Sequence, residues 1–251
     1  PWTLIFSKNT SSWGSYFYDK NEDALRVETT PEAAPYHEWL TYEFTDRQPA
    51  SATVALFWDE LKVPFTIEVP DLNEIYLSKM EKDLRGSLGF SWQNLTQAAN
   101  FAAQSGADLE QALEWANAAV SAPFVGQPNY TTLATQAQVL MAMGKEEEGR
   151  ASMQKAIEHP TASANQIHGY GRQLVTQGKK EEAMKVFKYN YEKYEGAWPT
   201  EVGMARGYSA IGEYAKALKH AEKAAAQAPD QLNKDALTQA IEKLKKKEDI
   251  N

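Results

Sequence analysis

Two hydrophobic rhythms divide this chain. Up to about Pro70, apolar and polar positions alternate: Leu61, Val63, Phe65, Ile67 and Val69 are interleaved with Lys62, Pro64, Thr66 and Glu68. A period of two marks a half-buried strand. Pro64 falls on the polar side and has no N–H for a ladder, which predicts an edge strand or a bulge. Residues 2–6, 25–29, 38–44 and 52–58 read as further strands, with Leu40, Tyr42 and Phe44 on one face. The short Asp59-Glu60 connection predicts a hairpin between the last two strands, and the polar run 19–23 a turn before Leu25. Short strands with polar turns between them suggest an antiparallel β-sandwich, with five or six strands visible.

After Pro70 the period becomes helical. Residues 71–85 read as a helix with Asp71 at its N-cap, ended by Gly86 and Gly89; it serves as a cap or strut between the two halves. Four helix pairs follow from Ser91 to Pro229. Gly106, Gly144, Gly178 and Gly212 each precede a short acidic turn, and each turn leads into a helix opening with a small residue: Ala112, Gly149, Ala183 and Ala217. The last two intervals between those small residues are 34 residues long and the first is 37. Seven positions before each turn glycine stands another small residue, Ala99, Ala137, Gly171 or Ala205. Small residues at such paired places let two helices approach closely. Leu140, Leu174 and Tyr208 fill the gap three positions on, and Met153, Phe187 and Ala221 pack from the second helix. Pro229 closes the fourth pair; Pro123 and Pro160 do similar work less regularly.

This register, over roughly 91–229, resembles the tetratricopeptide repeat, a helix–turn–helix unit that stacks into a solenoid. The chain departs from the pattern at Gly149, where alanine is usual, in a one-residue insertion before Ala112, and in the small Ala221. Residues 231–248 read as a final helix with the apolar stripe Leu237, Ile241 and Leu244. Its coat of Lys243, Lys245, Lys246 and Lys247 solvates the open end of the array; contact with an acidic lipid surface is the alternative use. The expected fold class is therefore α+β: a β-sandwich domain over 1–70, a connecting helix and linker over 71–90, and an α-solenoid with capping helix over 91–251.

The first 70 residues also resemble a bacterial family known only as a domain of unknown function, of Bacteroidota type. The resemblance lies in Trp2-Thr-Leu-Ile-Phe-Ser-Lys-Asn9, Trp13-Gly14, Tyr18-Asp19, Glu22-Asp-Ala-Leu-Arg-Val27, Ala52-Thr-Val-Ala-Leu-Phe-Trp58 and Lys62-Val-Pro-Phe-Thr-Ile67. These correspond to the downstream part of that family, so the sandwich is read as truncated at its start; Pro1, which is not Met, agrees with a fragment. Members look exported and some carry tetratricopeptide repeats after the sandwich. The resemblance thus implies a periplasmic or otherwise exported protein, and supplies no activity.

Composition narrows the function classes. A net charge of −8 argues against a nucleic-acid role, which needs a basic field. No apolar run approaches the roughly 18 residues that suggest a membrane span. With no cysteine there is no disulfide, thiolate metal site or cysteine nucleophile. His37, His159, His168 and His220 share no helical spacing of three or four, so no ready metal face exists. Neither a phosphate-cradling glycine loop nor a nucleophile elbow occurs. No cofactor, metal or catalytic set is predicted.

A groove is the better candidate. In tetratricopeptide arrays the first helix of each pair lines the concave surface. The positions just after its small residue read Asn100, Gln138, Arg172 and Arg206, with Gln93, Thr96, Asn165 and His168 nearby. This ladder is free of acid within an acidic protein, and guanidinium and amide donors suit a carboxylate. It resembles in part the carboxylate clamp of some tetratricopeptide proteins, which favours lysine and asparagine instead. The bland reading is that both arginines pair with acids of neighbouring helices. The leading expectation is a non-enzymatic binding or assembly protein that holds an extended or anionic peptide of a partner protein. The alternative is a glycan or small apolar ligand on the aromatic β part (Trp13, Tyr16, Tyr18, Trp39), unless these rings are core. A hydrolase with an assembled acidic site stands last.

Overall fold

The computed structural model describes residues 1–251, which divide into two compact units, 1–78 and 79–251. In the first, β1 (Trp2–Ser7) pairs antiparallel with β2 (Asp23–Thr29), and β3 (Glu32–Gln48) with β4 (Ser51–Glu68). The strands expected at 52–58 and 61–69 form one continuous element, β4, yet the reversal expected at Asp59-Glu60 is present. The Val69 amide donates to the Ala50 carbonyl at 2.8 Å, and the Thr53 and Thr66 hydroxyls lie 3.1 Å apart. The chain turns back through Asp59, whose φ of 56° is in the left-handed region that aspartate tolerates. The two pairs of strands meet where the Thr29 hydroxyl donates to the Pro64 carbonyl at 2.5 Å and Phe6 sits edge-on to Phe65 with ring centres 5.4 Å apart.

This unit buries only Val54, Ala55 and Val63 among its apolar side chains. The face carrying Leu40, Tyr42 and Phe44 forms as the alternation predicts, but it is exposed. The aromatic stretch before β2 is tied by polar bonds instead. Asp23 accepts from Tyr18 at 2.9 Å and from Arg26 at 2.6 Å, while the Asn9 amide donates to Glu22.

Helix α1 (Leu72–Leu84) spans the division between the units. Asp71 before it has φ 55°, not the extended backbone of an N-cap, and no cap bond from its side chain is seen. The second unit continues with α2 (Trp92–Ser105), α3 (Leu109–Ser121), α4 (Tyr130–Ala142), α5 (Glu146–Glu158), α6 (Ala164–Thr176), α7 (Lys180–Lys193), α8 (Trp198–Ala210), α9 (Tyr214–Ala226) and α10 (Gln231–Lys245). The eight helices α2–α9 are 13 or 14 residues each and pack as four consecutive pairs, with α10 against α9. This is the helical solenoid that the repeat predicts.

The turns repeat atom for atom. In the second, third and fourth pairs the amide of Gly144, Gly178 or Gly212 donates to the carbonyl three residues back. The next amide donates to the carbonyl five residues back, on Leu140, Leu174 or Tyr208. Such a closure satisfies orphan carbonyls of the first helix and needs a left-handed residue, and the glycines have φ of 76–79°. In the first pair the inserted residue is used differently: the Asp108 side chain caps α3 by accepting from the Gln111 amide at 2.8 Å.

The small positions are the helix contacts. Ala112, Ala183 and Ala217 are fully buried, as are Ala99, Ala137 and Ala205 to within 1 %. Gly149 departs from alanine for a steric reason: a Cβ there would lie 2.7 Å from Met141 Cγ and 3.0 Å from the Ala137 carbonyl. The central knob is Phe187, wholly buried against Gly171, Gly203 and Gly207, where added Cβ atoms would stand 2.4, 2.8 and 2.9 Å from its ring.

First helices stack closely between α2 and α4 and between α6 and α8, but not between α4 and α6. Side chains span that joint. The Tyr130 hydroxyl reaches the Gln166 carbonyl at 3.2 Å, its amide donates to the Thr161 hydroxyl at 2.8 Å, and Arg150 pairs with Glu182 at 2.8 Å.

Candidate functional site: the surface of the first helices

The predicted ladder falls into two groups. Asn100 is half-buried and joins α2 to α4 by donating to the Thr135 hydroxyl at 3.4 Å. Gln138 and Asn165 are exposed, and neither borders the cavity described below. Thr96, read as a groove neighbour, is buried, its hydroxyl satisfied by the Gln93 carbonyl at 2.8 Å.

His168, Arg172 and Arg206 come together. They border a cavity of about 190 Å³ between α6, α8 and α10, closed by Trp198, Leu237 and Ile250. The 34-residue spacing does what it promised: it sets Arg172 and Arg206 on adjacent stacked helices, facing one space. Neither arginine forms an ion pair with a carboxylate; the Arg172 carbonyl accepts from the Thr176 hydroxyl at 3.2 Å. Burial, then the nearby Arg172, pull the Arg206 guanidinium below its ordinary pKa, with Asp249 acting in the opposite direction. Arg206 is half-buried and Arg172 exposed at the rim of the same cavity, so Coulomb effects on Arg206 are less screened than in water.

His168 is the most perturbed group. Burial first, then Arg206 and Arg172, lower its pKa to about 4, against a small rise from the Pro199 carbonyl, so the ring is neutral at pH 7. Its Nδ1 is buried without a hydrogen-bond partner, and so is the indole Nε1 of Trp198. Unsatisfied buried polar atoms cost about 1–3 kcal/mol each, and the His168 Nδ1 lies against Gly203 of α8, where an added Cβ would be 3.2 Å from it. What the site can do is bind: it offers fixed donors, positive charge and an apolar floor. Nowhere in the chain do three His, Asp or Glu side chains gather to hold a metal ion.

The residues after α10 also enter the site. Lys247, at φ 60°, turns the chain back, and Asp249, Ile250 and Asn251 lie along α8. The Ser209 hydroxyl donates to the Asp249 carboxylate at 2.6 Å and accepts from the Ile250 amide at 3.1 Å. Arg206 donates to the Ile250 carbonyl at 3.3 Å, and its own carbonyl accepts from the Asn251 side chain at 3.2 Å. Sequence reading missed this segment, Ser209 and Trp198. No periodic signal marks them; their role depends on where α10 lies relative to α8.

Against known proteins, residues 1–67 match the model of a family described as protein of unknown function (DUF2911). That match falls where the resemblance to a domain of unknown function was read. No curated protein matches the chain. Among solved structures, it is similar to "YrrB: a TPR protein with an unusual peptide-binding site". Identity there is 19%, over 66% of this chain and 84% of that one, with a TM-score of 0.41. It is also similar to a tetratricopeptide repeat protein from Parabacteroides merdae, at 18% identity over 69% and 78% of the two chains and a TM-score of 0.30. No helix of this chain is long and apolar enough to cross a membrane.

Proposed function

We propose that this is a non-enzymatic binding or assembly protein whose first-helix surface holds an extended, anionic segment of a partner protein. One observation carries the reading: Arg172 and Arg206, neither ion-paired with a carboxylate, border the same cavity, in a chain of net charge −8. Such a place favours a carboxylate with an apolar neighbour, because guanidinium offers charged donors and a bound anion offsets the mutual repulsion of the two arginines. Gln138 and Asn165, exposed on α4 and α6, extend the same donor surface, and Asn100 fixes the α2–α4 end of it. In this reading residues 91–251 form the binding part, 71–90 the connection and 1–70 a β-sandwich domain. The protein acts in the periplasm or beyond it, as the resembling exported family suggests, and cell fractionation with an antibody tests the location. The groove is tested on arrays of acidic extended peptides. Replacing Arg172 and Arg206 by alanine should weaken the best binders by about tenfold or more, since each charge-assisted bond is worth about 1.5–3 kcal/mol. Unchanged binding would end the groove reading.

A second reading has its own observation. Trp13 and Tyr16 are exposed and stacked, with ring centres 6.2 Å apart and planes 28° apart, while Tyr18 and Trp39 are exposed as well. Exposed rings of this kind suit the apolar face of a sugar or a small apolar ligand. Titration with oligosaccharides should then shift tryptophan fluorescence, and Trp13→Ala should abolish the shift. A flat response across a broad glycan panel removes the idea.

A further inference from the structure

We infer that the segment of Asp249, Ile250 and Asn251 is an internal occupant of the binding surface, and that its pattern of carboxylate, branched aliphatic and amide is the pattern the surface reads. The inference rests on the groove reading above. A partner segment carrying an acidic residue directly before an aliphatic one takes the same seat and must displace this one.

Three features argue for occupancy rather than chance proximity. The contacts reach the main chain of the segment: the Ile250 amide donates to Ser209 and its carbonyl accepts from Arg206. The side chains are read too. Asp249 accepts from Ser209, and Ile250 packs with the buried cluster of Ala205, Ala217, Ala221 and Leu244; the 2.7 Å bond from the Asn251 side chain to Asp249 holds the segment's own turn. Burial pushes the Asp249 carboxyl up, but the Ser209 and Asn251 hydrogen bonds, with backbone amides, outweigh it and hold the group below the usual aspartate value.

The occupancy is also incomplete. The segment leaves about 190 Å³ open beside it, and it makes no bond to Arg172, which borders that space. A longer segment therefore has contacts available that the internal one lacks, which makes displacement favourable. Tethering still gives the internal segment an effective concentration of about millimolar, so it lowers the apparent affinity of any competitor.

The probe is a fluorescent synthetic peptide of residues 246–251, added to a chain ending at Lys247 and to the full chain. Fluorescence polarisation should show binding to the shortened chain, at least tenfold weaker binding to the full one, and loss in the Ser209→Ala and Arg206→Ala forms of the shortened chain. In case shortening unfolds α10, the full-length Asp249→Ala, Ile250→Gly double variant is tested as well and should regain peptide binding at unchanged helical content. No binding to either folded variant, or equal binding to variant and full chain, overturns the inference. Binding of acidic partner segments to the Arg172→Ala form is measured beside it. Retained peptide binding with no partner-segment response to Arg172 would sink the arginine-ladder reading and leave the occupancy standing.

Discussion

At the scale of single residues, His168 shows how burial and neighbouring charge act together on one ring. Its pKa of about 4 lies below the ordinary value of 6.5, and burial is the larger cause. The folded protein therefore holds fewer protons than the unfolded chain between those values. The neutral ring's contribution is fully present above pH 6.5, is lost as pH falls towards 4, and changes no further below that. The difference amounts to about 3 kcal/mol by the usual conversion. Urea titrations at pH 7 and pH 4.5 should show a smaller loss of stability for His168→Gln than for the natural chain. Equal losses would mean that the ring is protonated in the folded state. The glycine seat of Phe187 is the packing counterpart: Gly171 was legible as a small position, but Gly203 and Gly207 were not. Their partner is a side chain 16 to 20 residues upstream, which no local period reveals.

At the scale of elements, the helical half was largely legible because its rules are local. Turn glycines and small contact positions repeat in register, and the Asp59-Glu60 reversal could be read from alternation on either side of it. The β half was legible in strand positions and not in burial, since whether an alternating face is covered depends on residues elsewhere. One contact between elements had no sequence signal. Glu201 of α8 is buried, lies 2.6 Å from His220 Nδ1 of α9, and is 3.7 Å from Lys223. His220 is itself stacked on Tyr208 and edge-on to Tyr191. Removing His220 takes away the short hydrogen bond to Glu201 and leaves that carboxylate with Lys223 alone, at a cost of about 1–3 kcal/mol. Denaturation of His220→Ala should show a loss of that order, and the Glu201→Ala, His220→Ala double variant should lose less than the sum of the singles. Additive losses would show that the two side chains do not interact.

At the scale of the molecule, the two units hold themselves together differently. The helical unit has cores that run from one repeat into the next, whereas the β unit buries three apolar side chains and leaves its aromatic rings in solvent. The arginines of the site were legible because the repeat period itself places them. The occupant of the site was not, because a short segment after a lysine-rich helix carries no pattern until α10 is set beside α8.

The joint between α4 and α6 carries a mechanical consequence. Elsewhere the first helices of neighbouring repeats approach closely; here they do not, and the link is an apolar cluster that runs from Met153 and Ile157 to Ile167, with longer arms such as Tyr130 and Arg150 around it. With the least backbone contact of any neighbouring first helices, this joint is where bending of the array is expected first.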